Sequence, residues 1–568
     1  MDSRRTRAVV VVILLVALVV GLISAFRLDP LDLQIRELLG EGGKIKQGPI
    51  DRKLLDELRS IGPKAAPFLA KYARVPDSTT SELYGRFWLQ SPGWLQNKLA
   101  PPIYGVGVRR TAMSVIAEMG PLVARRCGEE VIAGLSDSST AVQGESLKAA
   151  AWLAVDSSEV REAFSLAVAK DSKSLVRGFR GLDHVDLLWG KTGSAGIVVT
   201  NALVDSDEAY MASLVLSRMG TNAAPALPFL VDLYRQSSVA SETLGNESVP
   251  PQQGRSGTRK PNAKVISARA NAVETLGNLG VSGPEVLKLI AEAWNDDSPR
   301  VRVRAAKAVG MMGEEIHSRI PQLLEGLEDG DNAALGEKMM AMGSLGPSAR
   351  GAIPVLLRLT SEKHLRGIVD DPDSKIASQS LRGLRVTAQM ALCRIDPMSS
   401  GRFIPNLAEQ IGTRWSPVEC LIELTENKAD VKQALEPLLA SQSWRVRMIS
   451  AYVLLHHFPD HRTALELLHT TKTSGKLRER ITVAGYLFRA IGEVEGVEEL
   501  IREGLTNSEG GSGQSAIDLA EDVGAFGLPA LESIQWASWA HKDQHVRRRA
   551  GRYLIEYALD RLPAASVN

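Results

Sequence analysis

Apolar and small residues recur along this chain at helical spacing, and the same phrase returns about every 33 residues, a period typical of stacked helical units. Its clearest copy runs from Val301 to Gly313, with apolar or small residues at i, i+4, i+7, i+8 and i+11. This spacing places them on one stripe of a helix. The fold class that we predict is therefore all-α, an α-solenoid.

Glycine and proline mark the ends of the predicted units. Gly280, Gly313 and Gly346 lie one repeat period apart, each at the end of one copy. Glycine readily adopts the left-handed conformation that ends a helix, and proline then opens the next one, as at Pro321 and Pro354. Each unit is therefore a helical hairpin. Roughly a dozen hairpins would form a curved rod on the order of 100 Å long.

The repeated phrase closely resembles that of the HEAT-repeat family. In that pattern an aspartate in the turn inside the repeat precedes a valine-arginine pair that opens the second helix. Here Asp297 precedes Arg302, and Asp543 precedes Arg547. The resemblance covers most of residues 50–562 and implies a solenoid fold. It selects no single function, because the family includes scaffolds, adaptors, transport receptors and a few bacterial chromophore lyases.

The arginines of the phrase have two interpretations. The family resemblance implies that they pair with turn aspartates of adjacent repeats, whereas a basic stripe along one face is the alternative. Two copies depart from the pattern, since Gln143 replaces the arginine and Lys338 stands where a small residue is expected. The arginines concerned are Arg109, Arg177, Arg269, Arg302, Arg385, Arg447 and Arg547.

An uninterrupted apolar run at 8–26 predicts a transmembrane helix. At about 1.5 Å per residue it spans roughly 28 Å, close to the bilayer core of about 30 Å. A cleaved signal peptide is the alternative, but its apolar region is normally about 7–15 residues. We predict an uncleaved anchor between a cytoplasmic basic tail at 1–7 and a juxtamembrane linker at 27–50. The arginines before the span place the N-terminus in the cytoplasm and the solenoid, residues 51–562, on the periplasmic side.

Three segments interrupt the repeat pattern. Residues 75–105 are rich in aromatic side chains and proline. Residues 237–264 are polar and rich in proline and glycine, which is typical of a disordered loop. Residues 361–380 form a shorter polar segment. Each is expected to lie between repeats, where an insertion disturbs the stack little.

The aromatic insertion holds the candidate site residues, which are Tyr84, Phe87, Trp88 and Trp94. Tryptophan and tyrosine in such a segment either pack over the first repeats or contact a partner. We predict that these four residues bind a partner protein, and packing remains the alternative.

No catalytic or metal-binding constellation is recognisable. His456, His457, His461 and His469 lie near one another in sequence, but Pro459 interrupts them and their spacing fits no zinc site. We therefore predict no enzyme activity, no metal and no cofactor.

Cysteine and charge contribute little. The three cysteines, Cys127, Cys393 and Cys420, are odd in number and widely spaced, so they predict no disulfide framework. Cys393 is expected to be a small buried hydrophobic residue. The chain has 67 basic and 66 acidic residues, so no overall field attracts nucleic acid.

We expect a membrane-anchored bacterial HEAT-repeat scaffold that binds another protein. The alternative is a lyase-type HEAT protein that handles a chromophore or another cofactor. Nucleic-acid binding is opposed by the charge balance and the predicted topology, and no small-molecule substrate is expected.

Overall fold

The structure is a computed structural model that describes residues 29–42, 51–96, 104–153, a few positions between 216 and 235, and 261–562 with gaps at 280–282, 370–374, 415 and 508–510. Two compact units are present, Met1–Ala149 with Pro563–Asn568, and Ala150–Leu562. Every regular element in the described ranges is a helix, so the all-α prediction is confirmed there.

Several predicted segments lie outside the described residues. These are the basic tail at 1–7, the apolar run at 8–26, and most of the insertion at 237–264. None of the helices in the described ranges combines the length and apolar composition needed to cross a bilayer. The transmembrane helix at 8–26 therefore stays a prediction.

Nine helices in the described part of the N-terminal sequence are α1 (Pro30–Gly42), α2 (Arg52–Ser60), α3 (Ala66–Ala73), α4 (Thr79–Gln90), α5 (Gly93–Gln96), α6 (Gly105–Glu118), α7 (Pro121–Ala124), α8 (Gly128–Leu135) and α9 (Thr140–Ala150). Helices α1, α2 and α3 all pack against α6, which carries one copy of the repeated phrase. Ala112, Met113 and Ile116 of α6 are fully buried. This apolar face is the core of the first unit.

Helix α1 lies in the predicted juxtamembrane linker at 27–50. Its Ile35 and Leu39 are fully buried. Asp32 is buried too, and it accepts hydrogen bonds from Lys71 Nζ at 2.6 Å and Tyr72 Oη at 2.9 Å. This part of the predicted linker is therefore a helix of the first unit.

The second unit continues, over the described residues, with α10 (Pro261–Asn278), α11 (Pro284–Ala293), α12 (Pro299–Met312), α13 (Ile320–Glu325), α14 (Asn332–Ser344), α15 (Ile353–Leu359), α16 (Glu362–Ile368), α17 (Lys375–Ile395), α18 (Ile404–Ala408), α19 (Val418–Glu423), α20 (Lys428–Leu435), α21 (Trp444–His457), α22 (Arg462–Ser474), α23 (Leu477–Ile491), α24 (Val497–Thr506), α25 (Ser512–Val523), α26 (Leu531–Ala540) and α27 (Gln544–Tyr557). Helices occupy parts of two predicted insertions. Helix α10 begins at Pro261, inside the insertion at 237–264. Helix α16 and the start of α17 occupy most of the insertion at 361–380.

The helices of the second unit form two layers. In the first layer each helix packs on the next helix of the same layer. The order of this layer is α10, α12, α14, α17, α19, α21, α23, α25 and α27. The helices between them supply the other layer, as α11 does for α12 and α26 for α27. The stacked hairpin is thus the repeating unit, as the period of the sequence predicts.

Glycine ends the helices as predicted at Gly313 and Gly346, whereas Gly280 lies outside the described residues. Gly120, Gly313 and Gly346 have φ values of 72°, 52° and 55°, in the range that favours glycine. The connection that follows two of these glycines is itself helical. Gly313–Arg319 and Gly346–Ala352 are 3₁₀ helices, which lead into α13 and α15.

Three arginines of the repeated phrase, Arg109, Arg269 and Arg302, pair with an aspartate of the following repeat, as the family resemblance implies, and we call this series of pairs the arginine–carboxylate ladder. Arg302 binds Asp329 in a bidentate pair at 2.6 and 2.9 Å. Arg109 holds Asp137 in the same way at 2.8 and 3.2 Å. Arg269 donates to Asp296 at 3.0 Å, so the partner in that turn is Asp296 and the choice of Asp297 is wrong by one residue. Arg177 lies outside the described residues.

The same arginines also hold the turn of their own repeat. Arg302, Arg447 and Arg547 each donate to the main-chain carbonyl six residues earlier, at 2.7–2.9 Å. Gln143, which replaces the arginine in its repeat, donates to the carbonyl of Asp137 at 2.5 Å. Arg385 reaches the carbonyl of Thr360 at 3.1 Å. The arginines therefore stabilise turns, which leaves the basic-stripe interpretation without support at these positions.

Lys338 compensates for a missing arginine. Its repeat has Leu335 at the arginine position, and Lys338 lies one helical turn later, fully buried. The Lys338 ammonium donates to the Gly326 carbonyl at 2.7 Å, lies 3.0 Å from Asp329 and stands over the Trp294 ring at 5.1 Å. Asp329 thus binds one cation from the repeat before it and one from its own.

Candidate protein-interaction surfaces

An exposed aromatic surface lies on α4 and α5 of the first unit, within the insertion at 75–105. Phe87 and Trp94 expose 53% and 65% of their surface, and Leu83 and Leu89 are similarly exposed. Leu83 and Phe87 are one helical turn apart and share a face of α4. Single exposed apolar residues are ordinary, but four large ones within twelve residues of the chain, two of them on one face of α4, make this an unusually apolar stretch of surface. We name Leu83, Phe87, Leu89 and Trp94 the aromatic surface.

The opposite side of α4 is covered. Gly85 is buried, and a Cβ atom placed there would lie 2.6 Å from the Tyr104 hydroxyl. Glycine at this position therefore lets the Tyr104 ring lie against the helix backbone. Tyr84 and Trp88, on the flank of that side, are half-buried. The four aromatic residues predicted as one site are thus divided, with Phe87 and Trp94 exposed and Tyr84 and Trp88 partly packed.

A groove in the second unit was missed by the sequence analysis. It has a cavity volume of about 510 Å³, and its apolar lining includes Val494, Phe526 and Pro529. Phe526 is 63% exposed and lies edge-on to the Phe488 ring, with the centroids 6.3 Å apart. The Phe526 ring thus contacts Phe488 on one side, and most of its surface is open to the groove.

Two glycine-rich connections form this groove. Gly492 and Gly496 adopt left-handed conformations on either side of a short turn between α23 and α24. Gly524 has a φ of 54° and begins the 3₁₀ helix Gly524–Ala530. Because the two connections belong to successive repeats, Val494 and Phe526 come together only when the repeats stack. A sequence scan therefore shows two ordinary turns and no site.

The rim of the groove is acidic. Glu498 and Glu499 line it, and exposed Glu495 lies in the adjoining turn. Arg502 is the basic residue of the lining, and it is paired with Glu498. An apolar floor with an acidic rim suits a segment that carries both apolar and basic side chains.

A third concave region follows the exposed side of α27. It is lined by charged residues, namely Glu521, His545, Arg548, Arg549, Arg552 and Glu556. Arg549 is bound to Asp518 and Glu521, and these acids raise its pKa. Arg552 pairs with Glu556 at 2.7 Å. Much of this charge is therefore balanced within the unit.

The four neighbouring histidines have separate structural roles. His457 contacts the Leu421 carbonyl at 2.8 Å, and His461 caps α22 by accepting from the Ala464 amide. His469 lies 3.3 Å from Glu493. Burial lowers the pKa of His456, whose ring lies edge-on to Tyr452. No cluster suited to a metal ion occurs among the described residues.

The helical hairpins of this chain stack on one another and are joined by the arginine–carboxylate ladder. This architecture places the chain in the class of helical-repeat proteins. Residues 259–343, which span α10–α14, match the family model for HEAT repeats. The repeats in this part of the chain are thus HEAT repeats. None of the proteins with curated functions matches it.

Solved helical-repeat structures show a looser likeness. Kap121p bound to Nup53p shares 11% identity, covers 92% of this chain and 74% of its own, and gives a TM-score of 0.34. The Kap95:Nup1 complex shares 11%, covers 92% and 99%, and gives 0.27. An engineered protein shares 14%, covers 80% and 98%, and gives 0.27. TM-scores of this size carry no conclusion about function.

Proposed function

We propose that this protein is a membrane-anchored HEAT-repeat scaffold that binds another protein and has no catalytic activity of its own. The exposure of Phe87 and Trp94 carries the proposal, because packing within the first unit leaves most of both side chains open to solvent. The recurring charges of the repeats do not offer an alternative surface, since ladder arginines such as Arg302 are bound to turns and aspartates within the array.

The aromatic surface suits a protein partner. Interfaces draw much of their binding energy from a few buried aromatic anchors, and Phe and Trp bury a large apolar area at small entropic cost. Leu83 and Phe87 form an apolar stripe on α4, and Trp94 on α5 lies a few residues further along. The partner is therefore expected to present an apolar segment here. The acidic groove at Val494 and Phe526 would take a second segment with basic and apolar side chains.

The proposed topology is a single span at 8–26 with the N-terminus in the cytoplasm and the repeats on the periplasmic side. It rests on the length of the apolar run and on the arginines before it. Protease added to cells with a permeabilised outer membrane should digest the repeats. Protection of the repeats would reverse the orientation, and release by alkaline washing would indicate a cleaved signal.

Replacing Phe87 and Trp94 together by alanine should reduce partner recovery by on the order of tenfold or more, as truncation of hot-spot residues does. The melting temperature should stay nearly unchanged, because both side chains are mostly exposed and fill little of the core. Cross-linking in intact membranes, affinity purification and mass spectrometry measure the recovery, and circular dichroism measures the melting.

Two matched variants make this experiment specific. Gln90→Ala, at an exposed position at the end of the same helix, should change neither quantity. Trp88→Ala, at a half-buried position, should lower the melting temperature because it removes packing on the covered side of α4. A large fall in melting temperature for the Phe87 and Trp94 double variant, with recovery otherwise intact, would make the insertion a structural lid.

The alternative function is chromophore or cofactor handling, as in lyase-type HEAT proteins. It requires a dedicated pocket, whereas the two grooves cited above are open to solvent. The groove along α27 is lined by charged residues, and the other is lined by Val494, Phe526 and Pro529 with acidic residues at its rim. Visible absorbance of the protein purified from its source would favour this alternative over the scaffold.

A further inference from the structure

Two cysteines meet inside the second unit. Cys393 lies near the end of α17 and Cys420 lies in α19, and both side chains are fully buried. The two helices pack against each other, and both cysteines belong to one apolar cluster with Leu407, Leu424 and Met448. In this structure both are thiols.

Cys420 lies beside the turn of α17 that holds Cys393. The Cys420 thiol donates a weak hydrogen bond to the Met390 carbonyl at 3.9 Å, one helical turn before Cys393. Buried cysteines on adjoining turns of two packed helices are placed as a disulfide between those helices requires.

The spacing explains why the pair is hidden in the sequence. The separation of Cys393 and Cys420 along the chain equals that of Arg302 and Asp329 in the ladder. Stacking of successive repeats brings such positions together. The wide spacing that argued against a disulfide framework is therefore the spacing that this array closes.

We propose that Cys393 and Cys420 form a disulfide that joins α17 to α19 across two successive repeats. The oxidant is a disulfide of a small thiol or of a dithiol protein. One cysteine thiolate attacks it, releases one thiol and forms a mixed disulfide. The other cysteine thiolate attacks that bond and releases the second thiol. Two protons and two electrons leave the cysteines, and the oxidant becomes two thiols.

Burial sets when the bond can form. The attacking species is the thiolate, and contact with the Cys420 thiol together with burial raises the pKa of Cys393 strongly. The folded, reduced protein therefore reacts slowly, and the bond forms while α19 is still open to solvent during folding. Once α19 has packed, the same burial shields the disulfide from reductants.

Cys127 provides the control. It lies in the first unit, where its thiol contacts the Ala66 carbonyl at 3.5 Å, and burial raises its pKa to about 12. Cys393 and Cys420 both lie in the second unit. It should remain a free thiol throughout.

The test is oxidative refolding of the full chain in detergent with reduced and oxidised glutathione, followed by alkylation and intact mass. One internal disulfide is expected, seen as a loss of about 2 Da and a single alkylated thiol. Peptide mapping should link Cys393 to Cys420. Cys127→Ser should keep the linkage, whereas Cys420→Ala should abolish it.

A second measurement keeps the test independent of refolding. Cells that express the full chain are denatured directly in a polyethylene-glycol maleimide, with and without prior reductant, and the number of labelled thiols is read from gel mobility. Reductant should expose two additional thiols in the parent chain and none in Cys420→Ala. Three labelled thiols without reductant in both measurements, or a linkage that includes Cys127, would overturn the proposal.

Discussion

Replacing Asp329 by asparagine should lower the free energy of unfolding by about 3–5 kcal/mol, the range for removing one partner of a buried ion pair. The Asp329 carboxylate binds the Arg302 guanidinium on one side and lies 3.0 Å from the Lys338 ammonium on the other. Its Oδ1 atom also accepts from the Asp331 amide at 2.9 Å. Asparagine keeps the size but leaves two cations without a counter-charge, and Lys338 is fully buried.

Urea titration followed by circular dichroism measures this change. Glu328→Gln, one residue away on the surface, is the matched control and should shift stability by less than about 1 kcal/mol, since exposed ion pairs contribute little. Lys338→Met in the Asp329→Asn background should recover part of the loss, because it removes one of the two stranded cations. A loss below about 1 kcal/mol for Asp329→Asn would show that the network contributes no more than a surface pair.

The same carboxylate gives a pH dependence with a defined sign. Burial alone would raise the pKa of Asp329, but hydrogen bonds from Arg302, the Asp331 amide and Lys338 outweigh it and hold the pKa below the usual 3.8. A carboxyl group with a lowered pKa stabilises the fold above its unfolded pKa. This contribution should be lost as the pH falls below about 3.8 towards the folded value, and it should be absent in Asp329→Asn.

Three glycines at equivalent positions of successive repeats should differ in their response to alanine. The substitution should lower the stability of the array at one of them and raise it at another. Gly277, Gly310 and Gly343 lie one repeat period apart, each on a helix that packs on an alanine of the next layer helix. A Cβ atom at Gly277 would lie 2.5 Å from the Cα of Ala308. Gly277→Ala should therefore destabilise the array by about 1–3 kcal/mol, because the contact is with backbone and cannot rotate away.

The two later glycines calibrate that effect. A Cβ atom at Gly310 would lie 3.7 Å from its nearest neighbour, an ordinary contact, so Gly310→Ala should stabilise by about 0.5–1 kcal/mol through helix propensity. At Gly343 the distance is 3.0 Å, which places Gly343→Ala between the other two. Thermal melting of the three variants gives the order. Equal shifts at all three positions would mean that helix propensity, not interhelical distance, controls them.

The repeat architecture was predictable because its signals are local. Helical periodicity and glycine stops act within about one helix, and Gly120, Gly313 and Gly346 have the positive φ that such stops require. The ladder partner was missed by one residue at Asp296, because which of two adjacent aspartates faces the previous repeat depends on the geometry of the turn. The 3₁₀ helices after Gly313 and Gly346 have no equally clear sequence signal.

The candidate surfaces were less predictable because they depend on stacking. The aromatic content of residues 75–105 indicated a special segment, but only the structure separates exposed Phe87 and Trp94 from half-buried Tyr84 and Trp88. The groove at Val494 and Phe526, like the Cys393 and Cys420 pair, joins residues of different repeats. A rule based on the ladder spacing would have found the cysteines, whereas no such rule identifies the groove.

The ladder runs in one direction along the chain, from each arginine to an aspartate on its C-terminal side. We therefore expect the stability of a repeat to depend more on the repeat before it than on the repeat after it. Arg269 donates forward to Asp296, which also accepts a hydrogen bond from the Ser298 amide at the start of the next layer helix. In the next repeat Arg302 donates to Asp329, and Asp329 accepts a hydrogen bond from the Asp331 amide just before α14. The arginine of each repeat thus stabilises the turn that begins the layer helix of the following repeat. Hydrogen exchange in a variant with one broken rung should therefore rise most in the repeat on its C-terminal side, where this stabilisation is lost.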